Sequence, residues 1–143
     1  MASSSSDAAA VALRVVLVVL AVYHLGIGVV SIASLRITAR VTGRLYGLTV
    51  SENSALRYSV RMLGLYAVAL GTLLALAARA PGSHRDVIVV VALLQLARAL
   101  HRVVLRRELY EGFQVPPRRN AFNAALLVAE ATVLLACMPM VST

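Results

Sequence analysis

Residues 121–138 read AFNAALLVAEATVLLACM, an apolar run broken by one ionisable group, Glu130, near its middle. A helix needs about 20 apolar residues to cross the roughly 30 Å hydrocarbon core of a bilayer, so this stretch predicts a membrane span over about 121–140. A carboxylate at such a depth costs about 2.5–3.5 kcal/mol, so it is expected to be paired, protonated or at work.

Three further runs precede it, over about 11–35, 58–78 and 87–106. The third is the least regular, because Val87 to Ala97 is followed by Arg98. The apolar pattern nevertheless continues through Leu100, Val103, Val104 and Leu105, while Gln95, Arg98 and Arg102 recur at i, i+3, i+7 and form one polar stripe. The chain has 143 residues, of which 60% are hydrophobic and 14% charged, and its mean hydropathy of +0.84 exceeds what one water-soluble core can hide. The expected fold is therefore all-α: an integral membrane four-helix bundle, one transmembrane domain over 11–140. Residues 1–10 are expected to form a disordered stub, and its Ser-rich, acidic start, Met1 to Asp7, lacks the basic region of a signal peptide, so the first span is not read as a cleavable one.

A net charge of +8 raises nucleic acid as a partner, but all fourteen basic residues are Arg and they flank the spans instead of forming a stripe with aromatics. No nucleic acid is expected; membrane lipid is the partner that this placement suits. The connection over 35–57 carries Arg36, Arg40, Arg44 and Arg57, and that over 106–120 carries Arg106, Arg107, Arg118 and Arg119. The other side has Arg79 and Arg85 in its tight turn. The positive-inside rule then puts both long connections in the cytoplasm and both termini outside, as expected in a bacterial cytoplasmic membrane.

In the first connection Ile37, Val41, Leu45 and Leu48 recur at helical spacing opposite Arg36, Arg40 and Arg44, which predicts a short amphipathic helix on the inner surface. The second, with Tyr110-Glu111-Gly112-Phe113 and Pro116-Pro117, is expected to turn and extend before Arg118-Arg119-Asn120 opens the fourth helix. Tyr46, Tyr58, Tyr110 and Phe113 suit an interfacial aromatic belt, and Arg61 and Arg102 are placed to snorkel to phosphate. Gly64, Gly71, Ala67 and Ala75 give the second span a small-residue face for close packing, within the chain or against a second copy.

At 1.5 Å per residue from the inner ends, His24 and Glu130 lie about 15 Å deep and Tyr66 and Arg98 about 12 Å, with Gln95 one turn beyond Arg98. One polar layer across four helices has two readings. Arg98 and Glu130 form a buried ion pair, with His24, Tyr66 and Gln95 satisfying the remaining hydrogen bonds. Alternatively the layer lines a cavity, in which Glu130 or His24 exchanges a proton and Arg98, Gln95, Tyr66 and Tyr23 contact a lipophilic ligand. No metal site is expected: His101 lies about a turn nearer the surface than His24, and Cys137 is single. No motif specifies a cofactor.

The order Asn53-Ser54-Ala55-Leu56-Arg57, then Gly64-Leu65-Tyr66-Ala67-Val68-Ala69-Leu70-Gly71, then Arg98 to Arg102 before Tyr110-Glu111-Gly112, resembles the small four-helix membrane proteins grouped as DoxX-like. The resemblance spans about residues 11–140 and implies a four-helix membrane bundle, with quinone-linked oxidation in some relatives; it assigns no catalytic residue. A more distant likeness, in layout alone, is to small four-helix sterol-pathway scaffolds and isomerases. The expected function is a membrane module that binds a lipophilic small molecule or quinone, or that scaffolds partner membrane proteins or a second copy. The alternative is a small membrane enzyme performing acid–base isomerisation, cyclisation or quinone-linked chemistry, with Glu130 and His24 as the candidate acid and base.

Overall fold

The structure is a computed structural model that describes residues 2–47 and 54–138. It contains α1 (Ala2–Ala33), α2 (Leu35–Tyr46), α3 (Ser54–Arg79), a 3-10 turn (Pro81–His84), α4 (Arg85–Val104), α5 (Arg106–Phe113) and α6 (Pro117–Cys137), with no strand among the described residues. Four segments, 7–33, 57–79, 81–104 and 117–137, are long and apolar enough to cross a membrane. No more than 33% of the most apolar window of any of them is buried within the protein. Large apolar side chains such as Val11, Val15, Val18, Val22, Val90 and Leu93 point outward instead. So large an apolar exterior suits lipid and would be a liability in water.

The four long helices associate as two tight antiparallel pairs. In the first, α1 and α3 approach until their backbones touch: a Cβ on Gly28 would sit 2.8 Å from the Gly64 carbonyl oxygen, and one on Gly71 2.8 Å from the Leu25 nitrogen. The small-residue face expected on the second span thus packs within the chain, by the dispersion contacts that replace the hydrophobic effect between helices in lipid. In the second pair, α4 and α6 are joined by polar side chains, Gln95 to Glu130 and Arg102 to Asn120. An apolar core of Leu13, Leu17, Leu74, Ile88, Val91 and Leu134 fills the half of the molecule nearest the Pro81–His84 turn. The polar groups occupy the other half, beside α2 and α5.

Local differences from expectation have simple causes. Helix α1 begins at Ala2, so the backbone of the segment assigned to a disordered stub is helical; Ala8, Ala9 and Ala10 favour its continuation upstream of the span. Helix α4 ends at Val104, two residues before the expected limit, because Leu105 at φ −94°, ψ 25° redirects the chain into α5. Residues 106–113 are therefore helical, not extended, with Arg107 and Glu111 at i, i+4 across 3.7 Å. Gln114, at φ 56°, stops α5: its N–H donates to the Tyr110 carbonyl at 3.0 Å and that of Val115 to the Leu109 carbonyl at 3.2 Å. Pro117 then takes the first position of α6, where its missing N–H costs nothing, so this helix starts four residues earlier than Ala121.

Helix α2 forms where the amphipathic pattern predicts, with Ser34 accepting from the Ile37 N–H at 3.4 Å and Gly47 at φ 75° donating to the Gly43 carbonyl at 2.9 Å. Leu48, Pro139 and Met140, which the sequence assigns to α2 and to the end of the last span, lie outside the described residues. Arg119 Nε donates to the Leu45 carbonyl at 3.3 Å, which fastens the end of α2 to the start of α6. That contact turns Tyr46 toward the centre and removes it from the expected aromatic belt, whereas Tyr58, Tyr110 and Phe113 stay exposed.

Candidate functional site

Between α1, α4 and α6, with the end of α2 closing one side, lies a cavity of about 290 Å³. Its walls are apolar at Val19, Leu20, Phe122, Leu126 and Leu127 and polar at Tyr23, Tyr46, Gln95, Arg98, Arg102, Asn123 and Glu130. Gln95 organises the polar side. Its side chain is 2% exposed; its amide nitrogen donates to Glu130 Oε2 at 2.5 Å and its amide oxygen accepts from Arg98 Nη1 at 3.0 Å. The expected direct ion pair between Arg98 and Glu130 is not made.

The register of α4 against α6 explains the difference. Gln95 meets Glu130 and Arg102 meets Asn120, so Arg98 stands opposite residues 124–127, about one turn short of Glu130. The depth count assumed that the fourth helix starts at Ala121, whereas it starts at Pro117 and places Glu130 about 20 Å along it. A neutral amide consequently relays between cation and carboxylate. Gln95 spends one donor and its acceptor, while Glu130 Oε1 keeps no partner among the described residues.

Arg102 is also held inside. It lies 5.2 Å from the centroid of the Tyr46 ring, its Nη1 donates to Asn120 Oδ1 at 3.0 Å, and its backbone carbonyl accepts from Asn120 Nδ2 at 2.8 Å. It does not snorkel outward as expected. The Tyr46 hydroxyl in turn hydrogen-bonds the Tyr23 hydroxyl, so α2 contributes a ring to the cavity wall. Asn123 differs from all of these: it is 8% exposed, and its amide nitrogen is buried with no partner among the described residues. Such an orphan costs about 1–3 kcal/mol.

Of the residues singled out by sequence, Tyr23, Gln95, Arg98 and Glu130 come together here. His24 and Tyr66 do not. They line a second cavity, between α1, α3 and α4, and only Tyr23 and Arg98 border both spaces. The two candidate proton-exchanging groups, Glu130 and His24, therefore line different cavities, with the His24 ring set edge-on to Tyr23 at 5.0 Å. Sequence reasoning missed Asn120 and Asn123, and with them the inward roles of Arg102 and Tyr46. The signal was present, because Asn120, Asn123 and Glu130 recur at i, i+3, i+10 on one face of α6, matching the stripe read on α4. Comparison of the chain with protein-family models, with curated proteins and with solved structures gives no significant match.

Proposed function

We propose that this protein is an integral membrane module that binds a lipophilic small molecule in the cavity between α1, α4 and α6. The occupant turns a polar group toward Arg98, Asn123 and the free oxygen of Glu130, and lays its apolar part along Leu20, Phe122, Leu126 and Leu127. One observation carries the reading: a space of about 290 Å³ among apolar side chains is bordered by polar groups that the protein leaves incompletely satisfied. A concave apolar site with a few convergent polar groups is the usual form of a small-molecule pocket. In lipid, where no water completes the hydrogen bonds, an occupant has more to offer than it would in a soluble protein.

Placement in the bilayer follows from charge. The end formed by α2, α5 and the start of α6 carries Arg36, Arg40, Arg44, Arg106, Arg107, Arg118 and Arg119, so it faces the cytoplasm, and both termini face out. Helix α2 then lies on the inner surface, with Ile37 and Leu45 exposed to lipid while its arginines reach headgroups. The four-helix layout of the DoxX-like proteins agrees with a lipid-soluble occupant. Acid–base catalysis by Glu130 and His24 gains no support from the geometry, since the two line different cavities.

Native mass spectrometry of protein extracted in mild detergent tests the proposal. A small-molecule adduct is expected on the wild type and should be lost from Leu127→Phe, which fills the cavity from one of its buried walls. An adduct equally abundant on both proteins would overturn the assignment of this cavity. Wild type that carries no adduct and acquires none from added lipid extract would overturn the binding role itself.

A further inference from the structure

The second cavity, about 450 Å³ between α1, α3 and α4, holds polar groups for which the first has no use. His24 and Ser31, on α1, line it and are only 6% and 7% exposed; Tyr66, on α3, lines it from an exposed position. The surrounding wall is apolar, with Ile27, Leu63 and Leu70. His24 Nδ1 lies 2.8 Å from the Leu20 carbonyl oxygen, and a carbonyl only accepts, so the proton sits on Nδ1. In the neutral ring Nε2 is then a lone-pair acceptor. Neither it nor the Ser31 and Tyr66 hydroxyls hydrogen-bonds to any described residue.

The helix register brings these groups along one groove. Gly64 lies against Gly28 and Ser31, and Gly71 against Ala21 and Leu25, which sets Tyr66 near the level of Gly28, about one turn from His24. His24 and Ser31 are seven residues apart on the same face of α1, about 10 Å along the axis. We propose that this cavity is a second binding site, for a lipophilic alcohol whose hydroxyl donates to His24 Nε2 and whose hydrocarbon lies along Ile27, Leu63 and Leu70. The tautomer chooses the ligand class. An ether or ketone has no proton to give to Nε2, a carboxylate could pair with Arg98 but would leave the Nε2 lone pair without a donor, and an ammonium group would face the Arg98 guanidinium across the same space.

Titration of the purified protein with 1-tetradecanol, its methyl ether and tetradecanoic acid, read by native mass spectrometry, tests the assignment. The alcohol is expected to bind at least tenfold more tightly than the ether to the wild type. His24→Phe should abolish that preference, Tyr66→Phe should weaken alcohol binding about two- to threefold, and Glu130→Gln, in the other cavity, should leave it unchanged. A diazirine-bearing tetradecanol should label Ile27, Leu63 or Leu70 of the wild type, which tests the site without any substitution. Equal binding of alcohol and ether, tighter binding of the acid, retention of the preference in His24→Phe, or labelling at Leu126 and Leu127 would each overturn the proposal.

Discussion

The α1–α3 pair and the α4–α6 pair solve the same problem in opposite ways. Between helices in lipid there is no hydrophobic drive, so association rests on close packing or on polar contacts. The first pair uses glycine, bringing Gly28, Gly64 and Gly71 into backbone contact across the seam. The second uses Gln95, Glu130, Arg102 and Asn120, whose longer side chains join the helices through directional bonds. Close packing leaves no room at the glycine contacts themselves, so the second cavity opens only beside them, toward α4. Polar joining leaves space next to the joining groups, and the first cavity is bordered by Gln95, Arg102 and Glu130 of that seam.

If the glycine seam is a steric fit, adding a side chain there should produce the largest effect of any single change in the chain. A Cβ on Gly64 would stand 2.9 Å from the Gly28 carbonyl oxygen and 2.9 Å from the Ser31 Cβ, and the Gly28 backbone oxygen cannot rotate away. Gly64→Leu is expected to cost about 3 kcal/mol or more, which thermal or denaturant unfolding in detergent would register as loss of folded protein. A melting temperature within a few degrees of wild type would show that the helices part easily at this point. The polar seam should be softer, since it can lose one contact at a time.

The next test removes the relay. Gln95→Leu withdraws two charge-assisted hydrogen bonds and leaves Arg98 and Glu130 without the amide between them, at an expected cost of about 2–3 kcal/mol. Adding Glu130→Leu removes one stranded charge, so the double variant should be less destabilised than the sum of the two single changes. Strict additivity would mean that the relay does not couple the helices. Asn120→Leu should cost less, about 1–2 kcal/mol, while freeing Arg102 from one side-chain bond beside Tyr46. Faster amide exchange in α2 is the accompanying sign to measure, and unchanged exchange there would show that Leu45 and Arg119 alone secure it.

This contrast also separates what was legible in the sequence from what was not. The four apolar runs and the amphipathic repeat of α2 are local periodicities, and the structure forms helices over them. The glycine face was readable because Gly64 and Gly71 recur on one helix. The pairing of Arg98 with Glu130 was not, because register between helices depends on where each one starts. Leu105 ends α4 two residues early and Pro117 starts α6 four residues early, enough to turn a direct ion pair into a relay through Gln95. Equal depth did not imply a shared space either: His24 and Glu130 are separated because they project to opposite sides of the partition made by Tyr23 and Arg98.

The smallest expected effect has the opposite sign, and it bears most directly on why the polar seam is built as it is. Asn123 lies on the α6 face that carries Asn120 and Glu130, yet its amide nitrogen bonds to none of the described residues. If Asn123 served the helix pair, replacing it with the near-isosteric Leu should weaken the fold as Asn120→Leu does. If it serves an occupant, Asn123→Leu removes a buried unsatisfied donor, so the empty protein should be unchanged or more stable by up to about 1 kcal/mol. The same change should reduce occupancy of the first cavity. Parallel unfolding and adduct measurements on Asn123→Leu and Asn120→Leu therefore distinguish a polar group kept for packing from one kept for a ligand: destabilisation in both variants assigns the whole stripe to the seam, whereas a stable Asn123→Leu with a depleted adduct assigns its middle member to the cavity.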